Sequence, residues 1–332
     1  MTGLYLHIPF CQKKCGYCSF VSKAGYTHLQ KDYCAALRQE LVQIAENSGR
    51  RRIETIFVGG GTPTFLYEEL LPEIIEFCGD LFQVASDAEV SVEANPKTVD
   101  LVGLNRLKMA GVNRLSIGVQ SFKDPELRQL GRIHTAAEAT TTFEQSRNAG
   151  FTNISLDLMY GLPGQRCSDW EENLATAIAI GPEHLSLYQL TIEPDTPFFQ
   201  HIENGEFFLP DEEEIINMDP TTDYLCKNGG FERYEISNYC RFGKKSRHNL
   251  NYWYNQEYLA AGAGAVSYIS GVREKREEDI LNYIEAIEQG RSSVIESEKL
   301  DREAAFRETV VLGLRLVEGV CLSRLKKRFG IN

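Results

Sequence analysis

Short apolar runs alternate with longer stretches of helical period through the first two thirds of the chain, and this alternation restricts the fold more than any other feature. The runs cover residues 4–8, 55–58, 89–93, 114–120, 153–160 and 184–190. Between them lie helical patterns at 30–47, 68–82, 98–110, 136–149 and 168–180. Six strands joined by five helices predict an α/β fold with right-handed crossovers and a parallel sheet, either doubly wound or closed wholly or partly into a (β/α) barrel. After Leu190 the pattern changes to TIEPDTPF, then to an acidic helix at 211–228, a Tyr-, Asn- and Gly-rich stretch at 231–270, and helical segments at 278–289 and 302–317. A boundary is expected near residue 200, with the barrel at 1–200 and a smaller α+β region at 201–332. The chain stops soon after Gly330 with no closing element, and that region is expected to be incomplete at its end.

The polar and glycine-rich motifs fall at one place on this frame. Cys11, Cys15 and Cys18 follow the first strand; Gly59-Gly60-Gly61-Thr62-Pro63 follows the second; Glu93-Ala94-Asn95-Pro96 closes the third. The fourth ends in Gly118-Val119-Gln120-Ser121, and the fifth carries Asp157 into Tyr160-Gly161-Leu162-Pro163. The C-terminal edge of a parallel sheet is where such folds build their sites. One mouth should collect all of them.

Three thiolates in C-x3-C-x2-C spacing suit an iron-sulfur cluster that keeps one iron open, whereas four Cys close it. A structural zinc site calls for a fourth Cys or His, usually from a second paired motif, and none is present. His7 lies four residues before Cys11, in a strand, and reads as a hydrogen-bonded core histidine. The chain holds nine cysteines, and the scattered ones sit in helical patterns, which argues against a disulfide frame. A formal net charge of -12 argues against a nucleic-acid partner, because phosphate binding needs a basic patch. With no long apolar run and no leader pattern at the N-terminus, a soluble, cytoplasmic chain is expected.

These motifs together, YLHIPFC, GGGTPT, GVQS, LGRIH and DLMYGLPGQ in that order, resemble the radical S-adenosylmethionine superfamily and its coproporphyrinogen-oxidase-like branch. The resemblance runs from Tyr5 to Gly330. It implies a partial (β/α)6 barrel, a [4Fe-4S] cluster on Cys11, Cys15 and Cys18, and S-adenosylmethionine bound at the open iron, where an electron cleaves it to methionine and a 5'-deoxyadenosyl radical. By position in that family, Gly60, Gly61 and Thr62 would meet the methionine moiety, and Glu93, Gln120, Arg132 and Asp157 its other polar groups. Tyr5 and Tyr17 would flank the cluster. A one-electron donor such as a flavodoxin or ferredoxin is implied as well.

Two features bear on the activity within this branch. Oxidases of the branch carry an extra cysteine two positions past the third ligand and a long segment ahead of the motif; here Phe20 holds that position and only ten residues precede Cys11. The stretch RHNLNYW resembles the H-N-x-x-Y-W motif of the branch's haem chaperones. That likeness implies haem as cargo, contacted by His248, Asn249, Tyr252 and Trp253, and an acceptor haem protein, which could be membrane-associated. Ser19 departs from the chaperone pattern, which commonly has Asp there. The alternatives are an oxygen-independent coproporphyrinogen III oxidase, which decarboxylates propionates oxidatively, and a radical enzyme on another substrate.

Overall fold

The computed structural model describes residues 1–67 and 69–330. Its frame is one mixed sheet. Strands β1 (Gly3–Ile8), β2 (Arg52–Gly60), β3 (Gln83–Ala94), β4 (Arg114–Gln120), β5 (Ile154–Tyr160) and β6 (His184–Gln189) pair in sequence order, each parallel to the next. This is the partial (β/α)6 barrel. Helices α1 (Gln30–Asn47), α2 (Leu70–Leu81) and α3 (Leu101–Met109) make the first three connections. The short α4 (Asp124–Gln129), then α5 (Ala136–Asn148) and α6 (Cys167–Ile180), make the rest. The expected first position of the second helix, Glu68, lies outside the described residues, as do residues 331 and 332 of the C-terminal region.

Local chemistry sets the helix ends. The Asp100 side chain accepts the Gly103 N–H at 2.8 Å, and Thr135 with Glu138 forms a capping box ahead of α5. Each satisfies orphan donors of a first turn. Gly181 ends α6 in the left-handed conformation that glycine adopts without strain. β3 begins six residues earlier than its apolar pattern indicates. Gln83 and Val84 pair with Arg52 and Ile53, and the register then shifts before Thr55 meets Glu89, so the side chains between do not alternate cleanly.

The two faces of the sheet differ. Leu4, Leu6 and Ile8 point outward into a core with Tyr33, Leu37 and Leu41, which recur every four residues along α1. The inward face is polar: Ser155 Oγ lies 2.8 Å from His184 Nδ1, and His184 Nε2 lies 2.8 Å from Tyr234 Oη.

Residues beyond 200 add to the same sheet at both edges. Helices α7 (Pro197–Glu203) and α8 (Glu212–Asn228) come first. Of strands β7 (Glu232–Arg233) and β8 (Asn238–Cys240), β8 pairs antiparallel with β6 and β7 pairs antiparallel with β8 at the outer edge. After α9 (Arg247–Trp253), strand β9 (Tyr258–Ala261) joins β1 in parallel. Strands β10 (Val266–Ile269), β11 (Val272–Arg276) and β12 (Val294–Lys299) continue outward from it. Helices α10 (Ile280–Glu288), α11 (Arg302–Gly313) and α12 (Leu322–Phe329) complete the description. The sheet therefore runs across the expected boundary at 200 rather than stopping there.

Candidate functional site

The β1 exit and the glycine turn are stitched together by backbone. Gly61 N–H donates to Ile8 O and Thr62 N–H to Phe10 O, each at 2.8 Å. A Cβ on Gly61 would lie 2.8 Å from Phe10 O and 3.0 Å from Cys11 Sγ; one on Gly60, with φ +112°, would lie 2.7 Å from the His7 ring. The glycines are thus required by the cysteine loop itself, a closer constraint than the approach of a methionine. His7 is buried, its Nε2 2.7 Å from Val21 O and its Nδ1 3.0 Å from Tyr5 Oη. A nitrogen facing a carbonyl carries the proton, so Nδ1 accepts from Tyr5. The Nε2 bond to Val21 O ties the loop after Cys18 back to β1. A prop missed in the sequence is Phe198 of the TPFF segment, whose N–H donates to Gly16 O at 3.0 Å and whose ring meets Tyr17 edge-on.

The mouth of the barrel is a cleft of about 330 Å³. Cys11, Cys15 and Cys18 line it with Gly60, Gly61, Thr62, Glu93, Gln120, Arg132 and Asp157, so these expected residues come together as anticipated. Tyr17 lines it too, whereas Tyr5 lies deeper, stacked on Phe57. Gln120 is held at φ +67° beyond a β-bulge, a conformation rare for a residue with a side chain and common at functional sites. Asn95 was visible only as part of its strand-end motif. It donates to Thr62 Oγ1 at 2.8 Å and accepts from Arg132 Nη2 at 2.5 Å. Arg132 also donates to Gly118 O at 2.6 Å and to Cys15 Sγ at 3.4 Å.

Charge inside the cleft is unbalanced in a useful way. Burial, and then the neighbouring Asp157, push the Glu93 carboxyl up to about 8. Burial also raises Asp157, and it raises the Cys11 and Cys18 thiols.

The cleft can be tested against the groups the motifs imply. The three cysteines are free thiols on one wall. No three His, Cys, Asp or Glu side chains among the described residues converge on a single ion. A cubane takes its three thiolates on three different irons, so its ligands ring a space instead of meeting at a point. The buried Nε of Arg132 has no hydrogen-bond partner among the described residues, a donor left for a ligand anion. The residues present fit a cluster and an amino-acid-bearing cofactor.

The RHNLNYW residues are elsewhere. They form α9, which plugs the opposite end of the barrel. The backbone N–H groups of Arg247 and His248 each donate to the Glu89 carboxylate at 3.0 Å. His248 is wholly buried, its Nδ1 2.8 Å from Thr55 Oγ1 and its Nε2 2.9 Å from Tyr252 Oη, with Phe57 stacked on the ring. Thr55 and Gly60 are five residues apart on β2, roughly 16 Å of strand, which separates His248 from the cysteines by about that distance. In this fold burial and two hydrogen bonds occupy the ring of His248, one of the expected haem contacts. Burial, and then Arg114, push its pKa down to about 3, so the ring is neutral. Asn249 donates its N–H to the Ser246 cap at 3.3 Å, and Trp253, with the Arg315 guanidinium 4.4 Å over its ring, lies on the wall of a second cavity.

A half-closed parallel barrel with three thiols at its mouth defines a class, and the comparisons agree with it. Residues 5–177 match the model of the radical SAM superfamily, and residues 300–332 match the HemN C-terminal domain. The protein named Heme chaperone HemW of Bacillus subtilis is 39% identical over 331 residues, covering 99% of this chain and 87% of that protein. The Heme chaperone HemW of Synechocystis is 36% identical, with 98% and 80% covered. Among solved structures, the coproporphyrinogen III oxidase HemN of Escherichia coli superposes with a TM-score of 0.87 at 23% identity, covering 99% of this chain and 79% of that one, and it shows the fold. The chain belongs to the radical SAM superfamily, in the family of the HemW proteins. No helix among the described residues is long and apolar enough to cross a membrane.

Proposed function

We propose that this protein holds a [4Fe-4S] cluster on Cys11, Cys15 and Cys18, binds S-adenosylmethionine beside it, and carries haem to an acceptor haem protein. The observation that supports the haem part is similarity along nearly the whole chain to proteins named for that role. The cluster and cofactor part is supported by the cleft. Arg132, with its unpartnered Nε, suits the cofactor's carboxylate, and Glu93 and Asp157 suit its ammonium and ribose hydroxyls. When bound, the cluster supplies an electron to the sulfonium, drawn from a one-electron carrier such as a flavodoxin or ferredoxin. The residues of the chain position the cofactor and exclude water.

Anaerobically reconstituted protein should bind haemin stoichiometrically. Supplied with reductant and S-adenosylmethionine, it should not convert coproporphyrinogen III to protoporphyrinogen IX. Phe20, 64% exposed beside the loop, stands where oxidases of the branch carry their extra cysteine. Catalytic decarboxylation would overturn the chaperone reading in favour of the oxidase.

Glu93 gives this reading a pH signature. Its protonated form must lose a proton to meet an ammonium group. Affinity for S-adenosylmethionine should therefore rise about tenfold per pH unit from pH 6 towards 8 and then level off. In the cofactor-free protein the sign is opposite. With a folded pKa of about 8 against an unfolded value near 4.5, the stability Glu93 lends is full below pH 4.5 and is lost as pH rises through 8. Glu93→Gln should flatten the binding profile and stabilise the cofactor-free protein at pH 9 by roughly 3–5 kcal/mol. Calorimetric titration and urea unfolding at pH 6, 7.5 and 9 check both, and unchanged profiles would remove Glu93 from the cofactor's contacts.

A further inference from the structure

Asn95 stands between two hydrogen bonds that end on cysteine sulfurs. On one side, Arg132 donates through Nη2 to Asn95 Oδ1 and to Gly118 O, and through Nη1 to Cys15 Sγ at 3.4 Å. On the other, Asn95 Nδ2 donates to Thr62 Oγ1 at 2.8 Å, and the Thr62 hydroxyl donates to Cys11 Sγ at 3.6 Å, within the longer reach of a sulfur acceptor. The direction of this chain is forced from its first member. A guanidinium only donates, so Asn95 turns its oxygen to Arg132 and its amide nitrogen to Thr62. The Thr62 oxygen then accepts, and its one proton is left for Cys11. Thr62 is buried, 3% exposed, so bulk water does not compete for that proton. Packing keeps the amide in place as well. A Cβ on Gly118 would lie 2.7 Å from Asn95 Oδ1 and 3.4 Å from Arg132 Nη2, so β4 carries glycine where this pair crosses it.

Hydrogen bonds to the sulfurs are one of the means by which a protein sets the potential of an iron-sulfur cluster: they favour the reduced form, which carries one more negative charge. Resting on the assignment of a [4Fe-4S] cluster to Cys11, Cys15 and Cys18, we infer that Asn95 is a positioning residue that raises the potential of that cluster by holding Arg132 on Cys15 and directing Thr62 to Cys11. The step it governs is the arrival of one electron. The one-electron carrier is oxidised, the cluster gains a negative charge, no covalent bond forms or breaks, and no proton moves. Asn95 donates to no sulfur itself; its amide acts through two neighbours and reaches two of the three ligands. The guanidinium keeps its separate task, because Nε has no partner among the described residues and faces the cofactor's place while Nη1 stays on Cys15. One side chain of β3 thus sets how readily the carrier fills the cluster.

Potentiometric titration of the anaerobically reconstituted, cofactor-free protein, followed by EPR of the reduced cluster, tests the assignment. Asn95→Leu removes the acceptor that holds Arg132 and should make the cluster about tenfold harder to reduce, about 59 mV lower for one electron, with iron and sulfide content unchanged. Thr62→Val removes the donor to Cys11 and should cost about the same tenfold in the wild-type background. Asn95→Asp keeps an acceptor for Arg132 but has no proton to give, so the Thr62 hydroxyl turns to the carboxylate and leaves Cys11. Its potential should fall, and adding Thr62→Val to it should lower the potential no further, a non-additivity in which the charge of the new carboxylate cancels. A part that merely held the loop would change cluster content and leave the potential alone. Should Asn95→Leu shed the cluster, the Thr62→Val cycle decides by itself. A wild-type potential in Asn95→Leu at full cluster content, or an equal effect of Thr62→Val in both backgrounds, would overturn the role of Asn95 and leave the cluster assignment standing. Failure of wild type to hold a [4Fe-4S] cluster at all would overturn both.

Discussion

Replacing Cys11, Cys15 or Cys18 by Ala leaves the protein unable to hold its cluster after anaerobic reconstitution: iron, sulfide and the charge-transfer absorbance should all fall to background. Two thiolates cannot retain a cubane that already lacks a fourth protein ligand. Gly61→Val should give the same loss although it removes no ligand, because its Cβ would stand 3.0 Å from Cys11 Sγ and 2.8 Å from a backbone oxygen that cannot move without the loop. Burial raises the Cys11 and Cys18 thiols, so loading must release protons, and reconstitution yield should increase from pH 7 to 8.5. Cys34→Ala and Cys78→Ala serve as controls. Both thiols are pushed up to about 12 by burial and sit in the core, so they should be retained as inert apolar groups. Full cluster content in a Cys15→Ala variant, or its loss in Cys78→Ala, would refute the ligand assignment.

The parts of the fold that could be read directly are those where local pattern and tertiary position agree. Residues 114–120 and 30–47 coincide with β4 and α1 because an apolar run or a period of four is also what the core demands there. The mouth was legible for the same reason: once six parallel strands are granted, their C-terminal ends share an edge. What could not be read is long-range pairing. Tyr258–Ala261 is a four-residue segment whose place beside β1 depends on partners more than 250 residues away. The position of α9 at the far end of the barrel was hidden too. A motif of aromatic, amide and imidazole groups reads equally well as a ligand surface or a plug, and only the Glu89 carboxylate waiting for the helix N-terminus decides between them. Within the mouth, Asn95 and Phe198 escaped notice as individual residues because their roles lie in holding Arg132 and Gly16, which sequence spacing does not reveal.

The same long-range pairing makes one buried carboxylate critical. Glu40, on α1 and 4% exposed, gathers four donors from the far part of the chain: Gly262 N–H at 2.8 Å, Arg276 Nε at 2.8 Å, Tyr283 Oη at 2.7 Å and Ser293 Oγ at 2.6 Å. Gly262 in turn presses on the cysteine strand. At φ +105°, a Cβ there would lie 2.5 Å from His7 O, and Tyr33 bridges the same oxygen to Ala263 N. Glu40→Ala removes the anion and leaves the Arg276 guanidinium, also 4% exposed, buried without its partner. Breaking a buried pair in this way costs about 3–5 kcal/mol, a large share of a typical domain's stability. Urea unfolding should show that loss, and cluster retention at 37 °C should fall with it, because β9 and its glycine turn brace His7 from behind. Replacing both partners by apolar residues, Glu40→Leu with Arg276→Met, should recover much of the stability, since the desolvated charges then vanish together. A loss below about 1 kcal/mol in Glu40→Ala would mean that water relieves Arg276 and that the C-terminal strands are held chiefly by their backbone ladder to β1.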